Sequence, residues 1–114
     1  MGVEFHITRA ACWAENELRA ISSDEWLAYV ASDPELELDL ANGEHFARWL
    51  GRSAYDEPWL DWFQGNISTK WPDTALYQKM LKIASALGAQ VQDDNGKVYI
   101  SDADWNFEPR KKAE

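Results

Sequence analysis

The run "PDTALYQKMLKIASALG", Pro72 to Gly88, reads as one amphipathic helix with a hairpin signal on either side, and this neighbourhood limits the possible folds more than any other feature. Leu76, Met80, Ile83, Ala84 and Leu87 recur at helical spacing. Asp73 stands where an N-cap is needed, and Gly88 falls just past the last turn, where left-handed backbone is favoured. Gln78, Lys79, Lys82 and Ser85 make the opposite, outer face.

Before this helix, "LDWFQGNISTKW" predicts a hairpin turning at Gly65-Asn66. Gln64 then faces Ile67, and counting outward sets Trp62 opposite Thr69 and Leu60 opposite Trp71 on a core face. Phe63 opposite Ser68 and Asp61 opposite Lys70 fall on the other face. After the helix, "AQVQDDNGKVYI" predicts a second hairpin turning at Asn95-Gly96, with Val91 facing Ile100 and Asp94 facing Lys97.

The earlier part of the chain supplies the remaining elements. "VEFHITRA" alternates Val3, Phe5 and Ile7 against Glu4, His6 and Thr8, so a half-buried strand is expected with His6 facing away from the core. "ISSDEWLAYVASDP" carries a capping box, Ser22 with Glu25, and stops at Asp33-Pro34; Trp26, Leu27, Val30 and Ala31 form its inner stripe. "ELELDL" predicts a strand with one wholly acidic face, Glu35, Glu37 and Asp39. "HFARWLG" fits a strand or a helix, with a strand bounded by Asn42-Gly43 and Gly51 favoured, and "RSAYDEP" reads as a polar loop. The order β-α-β-β-β-β-α-β-β implies an α+β fold: a largely antiparallel sheet of five to six strands with two helices on one face. Residues 1–107 are expected to form one domain, and 108–114 a frayed polar tail.

At 114 residues and 46% hydrophobic the chain can bury one core but not two. Its single cysteine, Cys12, excludes an internal disulfide and suits a reducing compartment. No segment is long and apolar enough to span a bilayer, and no leader is legible at the start, so a cytoplasmic location is expected with no membrane partner. The net charge of −9 excludes nucleic acid as the natural ligand, because phosphate binding needs an excess of Lys and Arg. The excess is local: Glu15 to Glu57 holds eleven carboxylates against Arg19, Arg48 and Arg52, a net of −8. Such a distribution favours a basic partner, with solubility as the plainer reason for it.

No phosphate loop, dinucleotide fingerprint, nucleophile elbow or zinc-protease motif is present. His6 and His45 lack metal spacing; with Glu44 they could share an ion, but ordinary surface or core histidines are the better reading, and no metal or cofactor is expected. Cys12 with His6 would need a turn to become a nucleophile and base. The pairs Asp56-Glu57 and Asp93-Asp94 read as solvated turn residues. A binding surface remains: Glu35, Glu37, Asp39, Glu44, Trp49, Tyr55, Asp56, Glu57, Trp59, Asp61 and Trp105 combine aromatic anchors with charge. The alternative is a small ligand-binding domain or enzyme with a pocket lined by Trp and carboxylate residues; as an enzyme it predicts a deep pocket holding His6, His45 or Cys12 beside a carboxylate.

At "ISSDEWLAYVASDPEL", "GNISTKWPD" and "KMLKIASALGAQVQDDNGKVY" the chain resembles a group of small bacterial proteins similar to immunity proteins of polymorphic and type VI toxin systems. The likeness runs from residue 1 to about 100 and rests on caps, turns and core positions. It implies a monomer or weak homodimer that binds a cognate protein toxin and occludes its active site, the acidic surface suiting a basic toxin. A cytoplasmic member of such a group implies a toxin acting on nucleotides or nucleic acid. The resemblance carries over no catalytic residue.

Overall fold

In the computed structural model, described over residues 4–53, 56–70 and 72–105, the alternating segments join one seven-stranded sheet in the order β2-β3-β4-β5-β1-β6-β7. The strands are β1 (Glu4–Thr8), β2 (Leu36–Leu38), β3 (Phe46–Trp49), β4 (Trp59–Phe63), β5 (Asn66–Lys70), β6 (Gln90–Asp93) and β7 (Val98–Tyr99), and every pairing is antiparallel. Two helices complete the fold, α1 (Ser23–Ser32) and α2 (Thr74–Ala86), in the expected order. The sheet exceeds the expected five to six strands because the short edge strands β2 and β7 both join it.

Alternation decides what each face carries. Phe5, Ile7, Leu36, Ala47, Leu60, Ile67, Val91 and Tyr99 point to the helix side and are buried with Trp26 and Val30 of α1 and Leu76, Tyr77, Met80, Ile83 and Ala84 of α2. Each large side chain so buried contributes about 1.5–3 kcal/mol before entropy is charged against it. Both helices start as their sequences dictate. The Ser22 hydroxyl accepts from the Glu25 amide while the Glu25 carboxylate accepts from the Ser22 amide, and Asp73 accepts from the Leu76 amide. Gly88, at φ 65, ends α2 in the left-handed conformation.

Most tryptophans are packing residues. Trp26 donates its indole N–H to the His45 carbonyl, and Trp62 donates to the Ile21 carbonyl. Trp105 stacks on Tyr77 at 4.3 Å and lies 5.4 Å from Phe5, closing the core at the β7 end. Trp49 and Trp105, which the sequence pattern left unexplained, thus pack against the core.

Both hairpins differ from expectation, for physical reasons that can be named. The first turns at Gln64-Gly65, both with positive φ (49° and 89°), so Phe63 pairs with Asn66, Trp62 with Ile67 and Asp61 with Ser68. The register moves by two residues, which preserves the faces but removes the Asp61–Lys70 pair; Lys70 instead faces Glu4 of β1. Asn66 is drawn into the strand because its amide donates to the Trp13 carbonyl. The expected Leu60–Trp71 pair lies outside the described residues. The second hairpin closes around three residues, 94–96, with the Asp93 carboxylate accepting from the Asn95 and Lys97 amides. Val91 therefore faces Tyr99, which is buried, and Ile100 points to solvent.

One further expectation is corrected, that of Lys79 on the outer face of α2, and two strands place side chains in ways that alternation alone does not give. Lys79 is buried, because Asp33 and Glu35 meet its ammonium at 2.7 and 2.8 Å. Leu38 and Leu40 are exposed, since β2 is an edge strand that ends at Leu38. His6 does face away from the helices, yet it is only 2% exposed, because the segment Arg9 to Ala20 crosses that side of the sheet.

Candidate functional site

The helix-free face of the sheet is divided in two. Over β5, β1 and β6 it is roofed by the segment Arg9 to Ala20, which amide side chains on alternate strand positions hold in place. Gln92, fully buried, donates to the Ala10 and Ala11 carbonyls and accepts from the Trp13 amide at 2.9 Å. Asn16 donates to the Gln64 carbonyl and to the Asn66 side chain. At one end Arg9 grips Glu25 through both terminal nitrogens, at 3.0 and 2.7 Å, and donates its Nε–H to the Leu87 carbonyl at the end of α2.

Beneath this roof the Trp13 ring stacks on the His6 ring, centroids 3.9 Å apart and nearly parallel. His6 Nδ1 lies 2.8 Å from Ser68 Oγ, and Nε2 lies 3.0 Å from Asp94 Oδ1. The Glu4 amide donates to the other Asp94 oxygen, which fixes that carboxylate against β1. Glu4, two positions before His6, shares its face of the strand, and its carboxylate is 3.8 Å from the Lys70 ammonium. Between roof and β4–β5 turn opens a cavity of about 420 Å³ lined by Glu4, His6, Trp13, Asn16, Phe63 and Ser68, among others. It sets His6 beside Glu4 in a half-open recess, not the deep pocket that the enzyme alternative calls for. Glu44 and His45 do not join it: the His45 ring packs against Trp62 at 4.9 Å.

The other half of this face, over β3 and β4, has no roof among the described residues. Phe46 and Trp59 stack across the strands at 5.3 Å, and Phe63 is 67% exposed. Asp61 sits between Phe46 and Ser68 in the strand pairing. Burial holds its carboxyl above the ordinary range, against the lowering effects of His45 and the Trp62 amide.

The expected binding residues are thus distributed unevenly. Glu37 and Asp39 face Arg48, at 2.9 and 3.8 Å, and Glu35 accepts from both Lys79 and the Trp49 indole. The acidic face of β2 is therefore matched by cations of the same molecule. The Trp49 ring lies over Gly51 so closely that a Cβ there would meet it at 2.1 Å, so Trp49 is held inward. Glu44, Asp56 and Glu57 are exposed and make no ion pair among the described residues. Tyr55 lies outside the described residues. Trp59 and Asp61 reach the unroofed face, and Trp105 does not.

Sequence reading missed Phe46, Phe63, Trp13 and the Glu4–Asp94 partnership of His6. The Glu4/His6 spacing of two was a usable signal, but Asp94 arrives only through β1–β6 pairing over a separation of 88 residues.

Comparison with known proteins adds no assignment: no family model, no curated protein and no solved structure matches the chain.

Proposed function

We propose that the protein is a binding module for a basic protein partner, and that its contact surface is the unroofed sheet face rather than the acidic strand β2. The observation that supports this most is the grouping of the stacked Phe46–Trp59 pair, exposed Phe63 and the carboxylate of Asp61 on one rigid sheet. Aromatic faces beside a carboxylate suit an Arg or Lys side chain, which gains from the ring quadrupole and the opposite charge together. Asp56 and Glu57, exposed just before β4 and in no ion pair among the described residues, add negative charge close by along the chain. With the chain at −9, approach of a cationic surface is steered. In this reading the resemblance to immunity proteins gives the partner's class, a basic cytoplasmic toxin whose active site is covered on docking.

The test is co-expression with the product of the adjacent reading frame, followed by affinity measurement on Phe63→Ser, Asp61→Asn and Asp56→Lys/Glu57→Lys variants. Binding should fall at least tenfold in each, with a weaker salt dependence for the charge reversals and unchanged thermal midpoints. Complex formation that these variants leave intact, or the absence of any complex, rejects the reading.

A further inference from the structure

We infer that Glu4, His6 and Asp94 form a binding site for one divalent transition-metal cation of the zinc type. The inference rests on the roofed half of the face, and its three ligand residues lie outside the proposed partner surface.

One ligand atom from each of the three side chains lies within 4.8 Å of the other two. A cation with nitrogen and oxygen ligands at about 2.0–2.2 Å holds them about 3.0–3.4 Å from one another in octahedral or tetrahedral geometry. His6 Nε2 and Asp94 Oδ1, 3.0 Å apart, already stand at that separation. The ring cannot turn away, because Trp13 stacks on one side of it and Ser68 Oγ lies 2.8 Å from Nδ1. That hydroxyl can accept the Nδ1 proton, so it is compatible with the tautomer that a metal on Nε2 requires. When a cation takes the Nε2 lone pair, the ring proton sits on Nδ1 and is donated to Ser68 Oγ, so no buried polar group is orphaned.

Charge and access agree with the assignment. Two carboxylates converge on the imidazole with Lys70 as the neighbouring cation, 3.8 Å from Glu4 and more than half exposed, so it can swing into solvent. Glu4 and Asp94 are each about two-fifths exposed, and the cavity of about 420 Å³ beside Glu4 and His6 leaves room for water to complete the coordination. One imidazole with two carboxylates suits borderline cations such as Zn²⁺ better than Mg²⁺ or Ca²⁺, which prefer oxygen alone.

The experiment is calorimetric titration of chelator-treated protein with Zn²⁺, with Mg²⁺ and Ca²⁺ in parallel, together with ¹⁵N spectra of the histidine rings. Saturable uptake of one Zn²⁺ is expected, with His6 shifting to the Nε2-ligated pattern and neither hard cation competing. Glu4→Gln and Asp94→Asn keep the size and exposure of the originals, so they should fold, as circular dichroism can verify. Each should weaken uptake at least tenfold, and the double variant should abolish it. No saturable uptake by the wild type overturns the site. So does uptake that persists in the folded double variant, which would place the ion on His45 or Cys12 instead.

Discussion

Lys79 Nζ lies 2.7 Å from Asp33 Oδ2, so the middle of α2 is tied to the residue that ends α1. Asp33 also accepts from the Tyr29 hydroxyl and, through its other oxygen, from the Glu35 amide. Burial alone would pull the Lys79 ammonium down; the hydrogen bonds it donates to Asp33 and Glu35 more than reverse this and hold its pKa above the ordinary value. Lys79→Ala removes the cation and leaves Asp33 shielded without its counter-charge. Breaking a buried pair costs about 3–5 kcal/mol, and solvent around Glu35 and the remaining bonds to Asp33 bring the expected loss to about 2–3 kcal/mol. Urea unfolding midpoints of the variant and wild type check this, with Lys82→Ala as the exposed control expected to stay within about 0.5 kcal/mol.

Acid should loosen the helices before the sheet. The Arg9 guanidinium, with help from the Ser22 amide, holds the Glu25 carboxyl down at about 2. Glu35 is lowered by Lys79; Asp33, which burial would raise, is lowered by Lys79, the Glu35 amide and Tyr29. Carboxyls held below their unfolded values bind fewer protons in the native state, so their stabilisation is complete above about pH 4.5 and is lost as pH falls toward 2. Arg9→Gln should flatten the decline in stability across that interval, as denaturant titrations at several pH values would show. An unchanged slope would refute the role assigned to the Arg9–Glu25 grip.

At alkaline pH three phenols, Tyr77 and Tyr99 buried and Tyr29 half-buried, take over. Burial raises Tyr29 and Tyr77 to about 12, assisted by the Asp33 carboxylate at Tyr29 and by Asp104 and Asp102 near Tyr77; Tyr99, bonded to Asp93, is raised further. A phenol raised in the native state contributes stability that is intact below its unfolded value near 10 and disappears as pH climbs through the folded value. Ultraviolet difference titration should show these three ionising late and together with unfolding, and Tyr99→Phe should remove the latest of them.

Gly65 is a point where side-chain bulk is not tolerated. A Cβ there would stand 2.7 Å from Ala20 Cβ and 2.7 Å from Asn16 Nδ2, on a residue whose φ is 89°. The Gly65 carbonyl also accepts from the Ile21 amide. Gly65→Ala should cost about 1–3 kcal/mol by overpacking and left-handed strain combined. It should also release the roof, which hydrogen exchange at Trp13 and Asn16 would report as faster opening while β4 and β5 stay protected.

Local chemistry was legible where local chemistry decides. Ser22 with Glu25, Asp73 as a cap and Gly88 as a stop could all be read, because each involves groups a few residues apart. The sheet faces could be read too, since alternation survives a register shift of two. What escaped the sequence was settled by distant partners. Gln64 accepts a positive φ because Asn66 is claimed by Trp13, 53 residues earlier, and Lys79 is buried because Asp33 waits for it 46 residues before. The acidity of β2 looked free only because Arg48 and Lys79 could not be placed against it. The aromatic cluster on the unroofed face was hidden for the same reason, as Phe46 and Trp59 meet only through the β3–β4 pairing.

The position of β1 between β5 and β6 sets a sequence of events in time. Phe5 must find both Thr69 and Asp93, so this interior strand of the sheet has no neighbour to dock on until β5 has been made. Such long closures slow folding. An unseated β1 would leave the Ile67 and Val91 edges bare, making this the moment at which the newly made chain is most exposed to sticking to its neighbours.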